Sequence, residues 1–463
     1  MKRLTIPSIL SAMAFCASFA AAQTITPTRV GPVSQYGQLI TGKNSQGKGQ
    51  IYGSCEGVKD GSEVQVRGMS LYWSLMPQAM EFWTEEGITT MVNDMKIQIV
   101  RAAMATKSSD NWNGEWNGIK LKGWEGDQAN QTKFVETVVE AAIKNDIYVI
   151  IDWHSHSAHQ QTESAKTFFK TMAEKYGQYD NVIFEVFNEP ENISWSDVKN
   201  YANQVIQVIR QYSDNLVLVG NPSWDQNPSD AIGNEVNDSK KNTAYTLHYY
   251  ANTHNWSGSY EWGGESEGAK GEKAMNAGLS VFVSEWGTGN ADGKGTPDQN
   301  RNKSWQDYVN KHKLSWANWS ASYINEGTAA FQDGSNKNSL QYTQSGNLVK
   351  GYLDSNPTSY TKCAAGNNNE NQQGQGQQGE QGQQEQSFVI VPEFSFSITL
   401  IGKTLNVTGP DAATVDIFNT QGTKLLSVDQ VNGSLPLTSL PVGQYIVRVR
   451  SGSASLVRAI AIK

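Results

Sequence analysis

Residues 182–190 read Val-Ile-Phe-Glu-Val-Phe-Asn-Glu-Pro, an apolar run that ends in the polar pair Asn188 and Glu189. A short apolar run bounded in this way predicts a buried β-strand. The same pattern recurs along most of the chain. Eight such runs occupy residues 64–69, 99–104, 148–153, 182–187, 216–220, 244–249, 281–286 and 315–319.

Helical patterns separate most of these runs. Residues 133–144 and 198–209, for example, carry apolar side chains at helical spacing. Strands that alternate with helices are typical of parallel strands joined by crossovers. Eight such units in about 300 residues predict an α/β fold, a (β/α)8 TIM barrel, although a doubly wound open sheet would give the same one-dimensional pattern.

The ends of the runs favour the barrel. No GxGxxG dinucleotide-binding motif follows the first run, and nearly every run ends in polar or aromatic side chains. These are Arg101, His154, Asn188 with Glu189, Asn221, His248 with Tyr250, Glu285 with Trp286, and Trp319. In a barrel the C-terminal strand ends converge on one face, where they form the active site.

Two of these residues, Glu189 and Glu285, are carboxylates that directly follow apolar strands. A single glutamate in such a place is more often a salt-bridged structural group. Two of them across one pocket supply the acid and the nucleophile or base that glycosidic cleavage requires.

Six motifs carry these positions. They are VRAAM with Arg101, YVIIDWH with His154, FEVFNEP with Asn188 and Glu189, LHYYANTH with His248 and Tyr250, VFVSEWG with Glu285, and SWANWS with Trp319. In order and spacing they resemble glycoside hydrolase family 5, most closely the bacterial endoglucanases of its second subfamily, over about residues 30–355. The resemblance implies a barrel that hydrolyses internal β-1,4-glucosidic bonds with retention, using no cofactor and no catalytic metal.

By that resemblance Glu189 is the general acid/base, Glu285 is the nucleophile, and Asn188 holds the sugar 2-hydroxyl. Glu189 is expected to have a raised pKa, and the two carboxyl groups are expected to stand about 5 to 5.5 Å apart. Arg101 is expected to hydrogen-bond Glu285 and lower its pKa.

The aromatic and imidazole side chains complete the expected site. Tyr250 or Tyr249 would add a hydrogen bond to the nucleophile, and the family pattern favours Tyr250. His154 and His248 resemble the family's subsite histidines. Trp319 resembles the platform under the sugar at the cleavage point.

Two departures from the family pattern concern substrate contacts. The family often has His and then Trp after the first strand, whereas this chain has Tyr72 and Trp73, either of which could take that contact. The lysine that commonly follows Trp319 is absent from residues 322–326. The preferred polymer therefore stays open among cellulose, mixed-linkage β-glucan, xyloglucan and mannan.

Charge and composition fit a neutral polysaccharide partner. The formal net charge is −8, so no basic field would attract nucleic acid. The 14 Trp and 18 Tyr residues supply flat rings that stack well on sugars. Outside the N-terminus no apolar stretch is long enough for a transmembrane helix.

The N-terminus predicts export. Lys2 and Arg3 precede an apolar core and a small-residue exit, so residues 1–22 are identified as a secretory signal peptide. The protein is therefore expected to be secreted or at the cell surface. Cys55 and Cys363 remain in the mature chain, either as a disulfide or as two free thiols.

A linker divides the mature chain. Residues 366–386 contain no apolar side chain, so they separate a catalytic barrel at residues 23–365 from a C-terminal domain at residues 387–463. Alternating runs and turn signals there predict a small antiparallel β-sandwich. Its residues 415–422 and 440–449 resemble type IX secretion sorting domains, which implies contact with secretion machinery.

Two other functions stay open. His154, His156 and His159 would suit a metal-dependent barrel hydrolase, for which His248 and Asp292 are available as ligands from other segments. A non-catalytic carbohydrate-binding protein would keep the groove without turnover. The two strand-end glutamates favour the enzyme, which we expect to be a monomer.

Overall fold

The structure, a computed structural model, describes residues 24–107, 114–363, 397–401, 403–408, 413–419, 424–431, 433–451 and 454–462. It divides into two units between residues 366 and 367. The predicted signal peptide and linker lie outside the described residues and stay predictions.

The first unit alternates strands and helices. Its strands are β1 (Leu39–Lys43), β2 (Gly49–Gly53), β3 (Arg67–Leu71), β4 (Ile99–Ala105), β5 (Glu115–Trp116), β6 (Ile119–Lys120), β7 (Tyr148–His154), β8 (Val182–Glu185), β9 (Val217–Val219), β10 (Thr243–Thr246), β11 (Tyr249–Tyr250), β12 (Val281–Gly287) and β13 (Trp316–Ala321). Its helices are α1 (Pro32–Tyr36), α2 (Gly57–Asp60), α3 (Pro77–Met80), α4 (Glu85–Met95), α5 (Gln128–Lys144), α6 (Thr162–Tyr176), α7 (Trp195–Ile209), α8 (Pro222–Asp225), α9 (Glu267–Asn276), α10 (Gln299–Lys311) and α11 (Gln344–Leu353), with 3₁₀ turns at Ala158–Gln160 and Pro228–Ala231.

Parallel pairing closes the sheet into a barrel. The strand order is β10-β9-β8-β7-β4-β3-β13-β12-β11, and β10 also pairs with β12. β10 and β11 are two parts of one barrel position, interrupted at Leu247 and His248. All eight predicted runs coincide with barrel strands, and both predicted helices lie within α5 and α7. The predicted TIM barrel is confirmed and the open sheet is excluded.

The inner face of the barrel changes character along each strand. Alternate residues of a strand share a face, so Ile99 and Arg101 point the same way, as do Ile183 and Glu185. The residues nearer the N-terminal ends belong to one buried apolar cluster, which includes Ile99, Tyr148, Ile150, Ile183, Leu218 and Phe282. The next inward positions are polar or charged, so the apolar layer forms a floor beneath the charged one.

An antiparallel hairpin formed by β1 and β2 covers the N-terminal end of the barrel. Leu39 and Ile51 of this hairpin belong to the apolar floor, and Ser280 Oγ donates to Gln50 O at 2.7 Å. Sequence analysis did not predict this hairpin. Near it, Cys55 and Cys363 form a disulfide with Cα atoms 5.9 Å apart, which settles the choice that the sequence left open.

The second unit is antiparallel. Its strands are β14 (Ser397–Ile401), β15 (Thr404–Thr408), β16 (Ala413–Phe418), β17 (Lys424–Val431), β18 (Gly433–Pro436), β19 (Gly443–Ser451) and β20 (Ala454–Ile462). They form one sheet of order β14-β15-β18 and another of order β17-β16-β19-β20. Val407 of the first sheet and Val415 of the second share one buried cluster. The predicted small antiparallel β-sandwich is confirmed.

None of the helices in the described part of the chain combines the length and the apolar character that a membrane span requires.

Candidate active site

Arg101 lies at the centre of the charged layer inside the barrel and is fully buried. Its Nε donates to Glu185 Oε2 at 2.6 Å, and its Nη1 donates to Glu285 Oε2 at 2.8 Å. Its Nη2 donates to Asn188 Oδ1 at 2.6 Å and lies 2.9 Å from Asp152 Oδ2. One guanidinium therefore holds three carboxylates from three strands in a fixed arrangement.

Glu285 is held from two sides. Besides Arg101, the Tyr250 hydroxyl donates to Glu285 Oε1 at 2.8 Å. A side chain at Gly287 would place its Cβ 2.3 Å from the Tyr250 ring, so glycine there makes room for the tyrosine. The neighbouring Tyr249 instead stacks on Trp305, with ring centroids 3.8 Å apart. Of the two candidate tyrosines, Tyr250 is therefore the one that contacts the glutamate.

Glu189 is held by a different set of groups. His248 Nδ1 lies 3.0 Å from Glu189 Oε1, and His156 Nε2 lies 3.5 Å from Glu189 Oε2. The residue adopts a left-handed backbone conformation, with φ 49°, and its amide donates to Asp225 Oδ2 at 3.3 Å. Its side chain is 14% exposed, against 4% for Glu285, so Glu189 is the more accessible of the two.

The two glutamates face each other across a short gap. A carboxylate oxygen of Glu189, a ring nitrogen of His248 and a carboxylate oxygen of Glu285 all lie within 4.8 Å of one another. A retaining glycosidase needs its carboxyl groups about 5 to 5.5 Å apart, whereas an inverting one needs about 6.5 to 9.5 Å to admit a water. The observed spacing fits the retaining geometry.

His248 lies among carboxylates. Its Nε2 is 2.9 Å from Ser284 Oγ and 3.4 Å from Asp225 Oδ2. Ser284 Oγ in turn donates to Glu185 Oε1 at 2.5 Å. Burial by itself lowers the pKa of His248, but the charge of Asp225, the nearby carboxylate of Glu185 at 3.8 Å and the hydrogen bond to Glu189 outweigh it, so the pKa lies well above its ordinary value. The raised pKa favours the imidazolium form of His248, in which both ring nitrogens are donors.

This imidazolium changes the expected pKa of Glu189. Burial raises the pKa of the Glu189 carboxyl, but the hydrogen bond and the charge of His248 outweigh burial, and the pKa falls below its ordinary value. The predicted raised pKa of Glu189 is therefore wrong for this geometry. Burial and the charge of Glu189 raise the pKa of Glu285, and Arg101 and Tyr250 only partly offset that rise.

Aromatic rings cover the other side of the site. The His154 ring is parallel to Trp319, with centroids 5.5 Å apart and planes 4° apart, and Asp152 Oδ2 accepts from His154 Nδ1 at 2.7 Å. Tyr72 packs against Trp319 at 4.7 Å and donates to Glu326 Oε1 at 2.9 Å. Both candidate first-strand aromatics reach this group, because Trp73 lies 5.8 Å from His154.

The alternative metal site is not assembled from its predicted ligands. Among the described residues, the groups of three that could hold an ion are Glu185, Asp225 and His248, and Glu189, His248 and Glu285. Neither group contains His154, His156 or His159. His156 Nδ1 lies 3.0 Å from Glu191 Oε1 and its Nε2 lies 3.5 Å from Glu189 Oε2, so that histidine faces the two glutamates at the end of the FEVFNEP motif.

Sequence reasoning missed three buried acids. Asp152 and Glu185 lie inside strands that were treated as apolar, in phase with Arg101 on the inner face. A carboxylate within an apolar strand needs a buried partner, and that signal could have found both. Asp225 follows two residues with left-handed backbone, Ser223 (φ 62°) and Trp224 (φ 56°), and no comparable sequence signal marks it.

Comparison with known proteins places the same segment in one family. A family model described as cellulase (glycosyl hydrolase family 5) matches residues 58–325. Endoglucanase Z of Dickeya dadantii is 42% identical over 293 residues, which are 63% of this chain and 62% of that protein. An endoglucanase of Clostridium saccharobutylicum is 32% identical over 329 residues, which are 68% of this chain and 67% of that protein. The chain thus spans about two thirds of the length of these relatives.

Solved structures agree with the fold. The catalytic domain of alkaline cellulase K has a TM-score of 0.61 at 27% identity, and the match covers 72% of this chain and 98% of that one. A structure from Cytophaga hutchinsonii has a TM-score of 0.59 at 33% identity, covering 70% of this chain and 96% of that one. Both matches span nearly the whole of the solved chain.

Proposed function

Because this chain belongs to the cellulase family, glycosyl hydrolase family 5, we propose that it is a retaining endo-β-1,4-glucanase. One observation carries the proposal: oxygens of Glu189 and Glu285 lie within 4.8 Å of each other. The partners of the two carboxyls differ, since Glu285 is held by Arg101 and Tyr250 and Glu189 by His248. The same residue type can therefore perform two roles.

In the first step, Glu285 attacks the anomeric carbon in its ionised form, which Arg101 and Tyr250 stabilise. The bond between that carbon and the glycosidic oxygen breaks as a bond to the Glu285 oxygen forms. The leaving oxygen takes a proton from Glu189, which leaves a glycosyl ester on Glu285 and an ionised Glu189.

The proton that Glu189 donates is held by the pair that it forms with His248. His248 Nδ1 lies 3.0 Å from Glu189 Oε1, so a proton moves to the carboxylate along one hydrogen bond. In the second step, Glu189 takes a proton from a water whose oxygen attacks the anomeric carbon, and Glu285 leaves as a carboxylate. The proton on Glu189 then returns to His248 along the same hydrogen bond. The net reaction is hydrolysis of one glycosidic bond with retention.

Asn188 is proposed to hold the sugar 2-hydroxyl. Its Oδ1 accepts from Arg101, which fixes the orientation of the amide. Its buried Nδ2 has no hydrogen-bond partner among the described residues. A buried donor with no partner is costly unless a ligand accepts from it, so the amide supports a contact with a substrate hydroxyl.

Export is proposed on independent grounds. The Cys55–Cys363 disulfide is typical of proteins in oxidising compartments, in line with the predicted signal peptide. In the C-terminal sandwich Tyr445 is buried and donates to Pro441 O at 2.8 Å, so it does not offer an exposed sugar platform. We therefore propose a secretion or sorting role for residues 387–463; fractionation of producing cells, with and without this segment, tests it.

The catalytic proposal is tested by reducing-sugar release from carboxymethyl-cellulose, barley β-glucan, xyloglucan and mannan, with and without EDTA. We expect chelator-insensitive release with rapid loss of viscosity on the β-1,4-glucans. Glu285→Gln is expected to abolish release while folding and glucan binding are kept. The products of an aryl cellobioside, followed by NMR, are expected to appear first as the β-anomer.

Each other outcome points to a different function. Binding without release from any polymer would favour the carbohydrate-binding protein. Loss of activity in EDTA would revive the metal-dependent hydrolase. Substantial activity of Glu285→Gln would show that the nucleophile is another residue.

A further inference from the structure

The indole of Trp262 is exposed to an unusual degree. It is 78% exposed, against 40% for Trp224, the other tryptophan among the large apolar side chains that are exposed in the described part of the chain. Trp262 lies in the segment that leaves the C-terminal end of β11, twelve residues after Tyr250, whose hydroxyl contacts Glu285. The segment therefore starts from the same end of the barrel as the two glutamates.

The ring is held flat at the tip of a short hairpin. Trp262 stacks on Tyr260, with centroids 4.9 Å apart and planes 10° apart. Ser259 and Glu265 form an antiparallel bridge, and Tyr260 N donates to Gly264 O at 2.9 Å. The ring is thus fixed before any ligand arrives, which reduces the entropy lost on binding.

A buried carboxylate anchors the base of the hairpin. Glu267 Oε2 accepts from the Tyr260 hydroxyl at 2.6 Å and from Asn255 N at 3.0 Å. Glu267 is the first residue of α9 and is itself buried. The hairpin is therefore tied to a barrel helix.

The chemistry of the tip fits one sugar ring. A single tryptophan buries about 150 to 250 Å², far less than the roughly 800 Å² per partner of a stable protein interface. The exposed neighbour Glu261 would repel a polyanion, and the other exposed carboxylate of the hairpin, Glu265, is paired with Lys273 at 2.9 Å. A neutral pyranose, with an apolar face and a hydroxyl rim, satisfies both conditions.

We propose that Trp262, backed by Tyr260, is a distal sugar-binding platform that stacks on a pyranose ring of the same β-glucan chain that is cleaved between Glu189 and Glu285. This inference rests on the proposed function for the identity of the chain. The platform makes the enzyme more effective on long glucan chains than on short ones, because a two-sugar substrate bound at the glutamates does not extend to a distal platform.

The test compares Trp262→Ala, Trp262→Phe and Glu261→Gln in the full chain. For Trp262→Ala we expect KM on cellohexaose and barley β-glucan to rise about two- to tenfold, with kcat/KM on an aryl cellobioside unchanged. Trp262→Phe, which keeps a ring, should recover most of the loss. Glu261→Gln, a change in the same hairpin that leaves the indole, should behave as the wild type.

Binding is read separately by electrophoresis in gels that contain β-glucan. We expect the glucan to retard the wild type and Trp262→Phe more than Trp262→Ala. Equal retardation and equal KM for all variants would overturn the inference, as would an equal loss on the aryl cellobioside. A loss confined to adsorption on insoluble cellulose would overturn it in favour of a surface-binding site. If the wild type releases no sugar, the proposed function fails, and the gel still tests the platform.

Discussion

The backbone amide of Glu189 donates to Asp225 Oδ2 at 3.3 Å, so the carboxyl proposed as the acid is positioned from the neighbouring strand end. Asp225 Oδ1 accepts from Asn221 N at 2.6 Å, and its backbone oxygen accepts from His248 N at 2.9 Å. One buried aspartate thus fixes both Glu189 and the imidazolium that shares its proton.

Asp225→Asn is expected to loosen this arrangement. Asparagine offers one oxygen where Asp225 uses two, so one buried amide loses its acceptor at a cost of about 1 to 3 kcal/mol in the free energy of unfolding.

The same variant is expected to shift the pH profile. Burial raises the pKa of Asp225 to about 7, and the charge of Asp225 raises the pKa of His248. Without that charge the pKa of His248 falls, and the alkaline limb of kcat/KM moves to lower pH. Asp230→Asn, whose carboxyl faces Lys270 and Lys273, is the matched control for pH profiles and urea unfolding.

His248→Asn is expected to move the alkaline limb further in the same direction. In the wild type the last proton of the Glu189–His248 pair is held on an imidazolium whose pKa is well above its ordinary value. In the variant that proton is held on Glu189 alone. A carboxyl loses its proton at lower pH than such an imidazolium does, even when burial raises the pKa of the carboxyl. A pH profile of kcat/KM measures the shift, and an unmoved alkaline limb would contradict the proton route through His248.

Glu189→Ala is expected to discriminate between leaving groups. Activity on cellohexaose should fall about 10²- to 10⁴-fold, because the leaving oxygen loses its acid. An activated aryl cellobioside needs little acid help, so its glycosylation step should suffer much less. Glu191→Ala, two residues along the chain and half-exposed, is the control. Equal losses on both substrates would count against the acid role of Glu189.

Arg101→Met is expected to destabilise the barrel and to shift the acid limb of the pH profile of kcat/KM. Removing the guanidinium leaves Asp152, Glu185 and Glu285 without their shared cation, which costs about 3 to 5 kcal/mol. Because Arg101 lowers the pKa of Glu285, its removal raises that pKa, and the acid limb of kcat/KM moves to higher pH. Arg101→Lys, which keeps the charge, should be less destabilised in urea. An acid limb that stays in place in both variants would show that Glu285 does not set it.

The disulfide is expected to contribute measurably to stability. Cys55→Ser with Cys363→Ser should lower the free energy of unfolding by about 2 to 5 kcal/mol, since the bridge restricts a long loop in the unfolded chain. Thermal unfolding with and without reductant checks this. The reductant should lower the Tm of the wild type and leave that of the double variant unchanged; an equal Tm for both proteins would mean that the bridge is not formed.

Much of the fold was predictable because barrel strands carry their own signal. Residues 281–286 form an apolar run that ends in Glu285 and Trp286, and the structure has a strand at Val281–Gly287. The hairpin at Leu39–Gly53 escaped prediction because its strands are short and rich in glycine and polar residues. Their pairing depends on the end of the barrel that they cover rather than on a local pattern.

The grouping of the candidate side chains was predictable where they follow strand ends, as Glu189, Glu285 and Tyr250 do. The pKa of Glu189 was not, because it depends on how closely His248 approaches and on the carboxylates behind His248. The position of Asp225 was not predictable either. It depends on consecutive residues in the left-handed backbone conformation, which L-amino acids rarely adopt. The pKa of Glu189 and the position of Asp225 both depend on contacts between segments that are distant in sequence.

The bridge between Cys55 and Cys363, 308 residues apart in sequence, makes the catalytic unit a closed covalent ring that contains every barrel strand from β3 to β13. A single protease cut inside the ring opens it without releasing a fragment, so Glu189 and Glu285 stay in one covalent molecule. A cut after Cys363 removes the strands β14–β20 and leaves the ring closed. The C-terminal sandwich can therefore be processed away while the catalytic unit keeps its covalent closure.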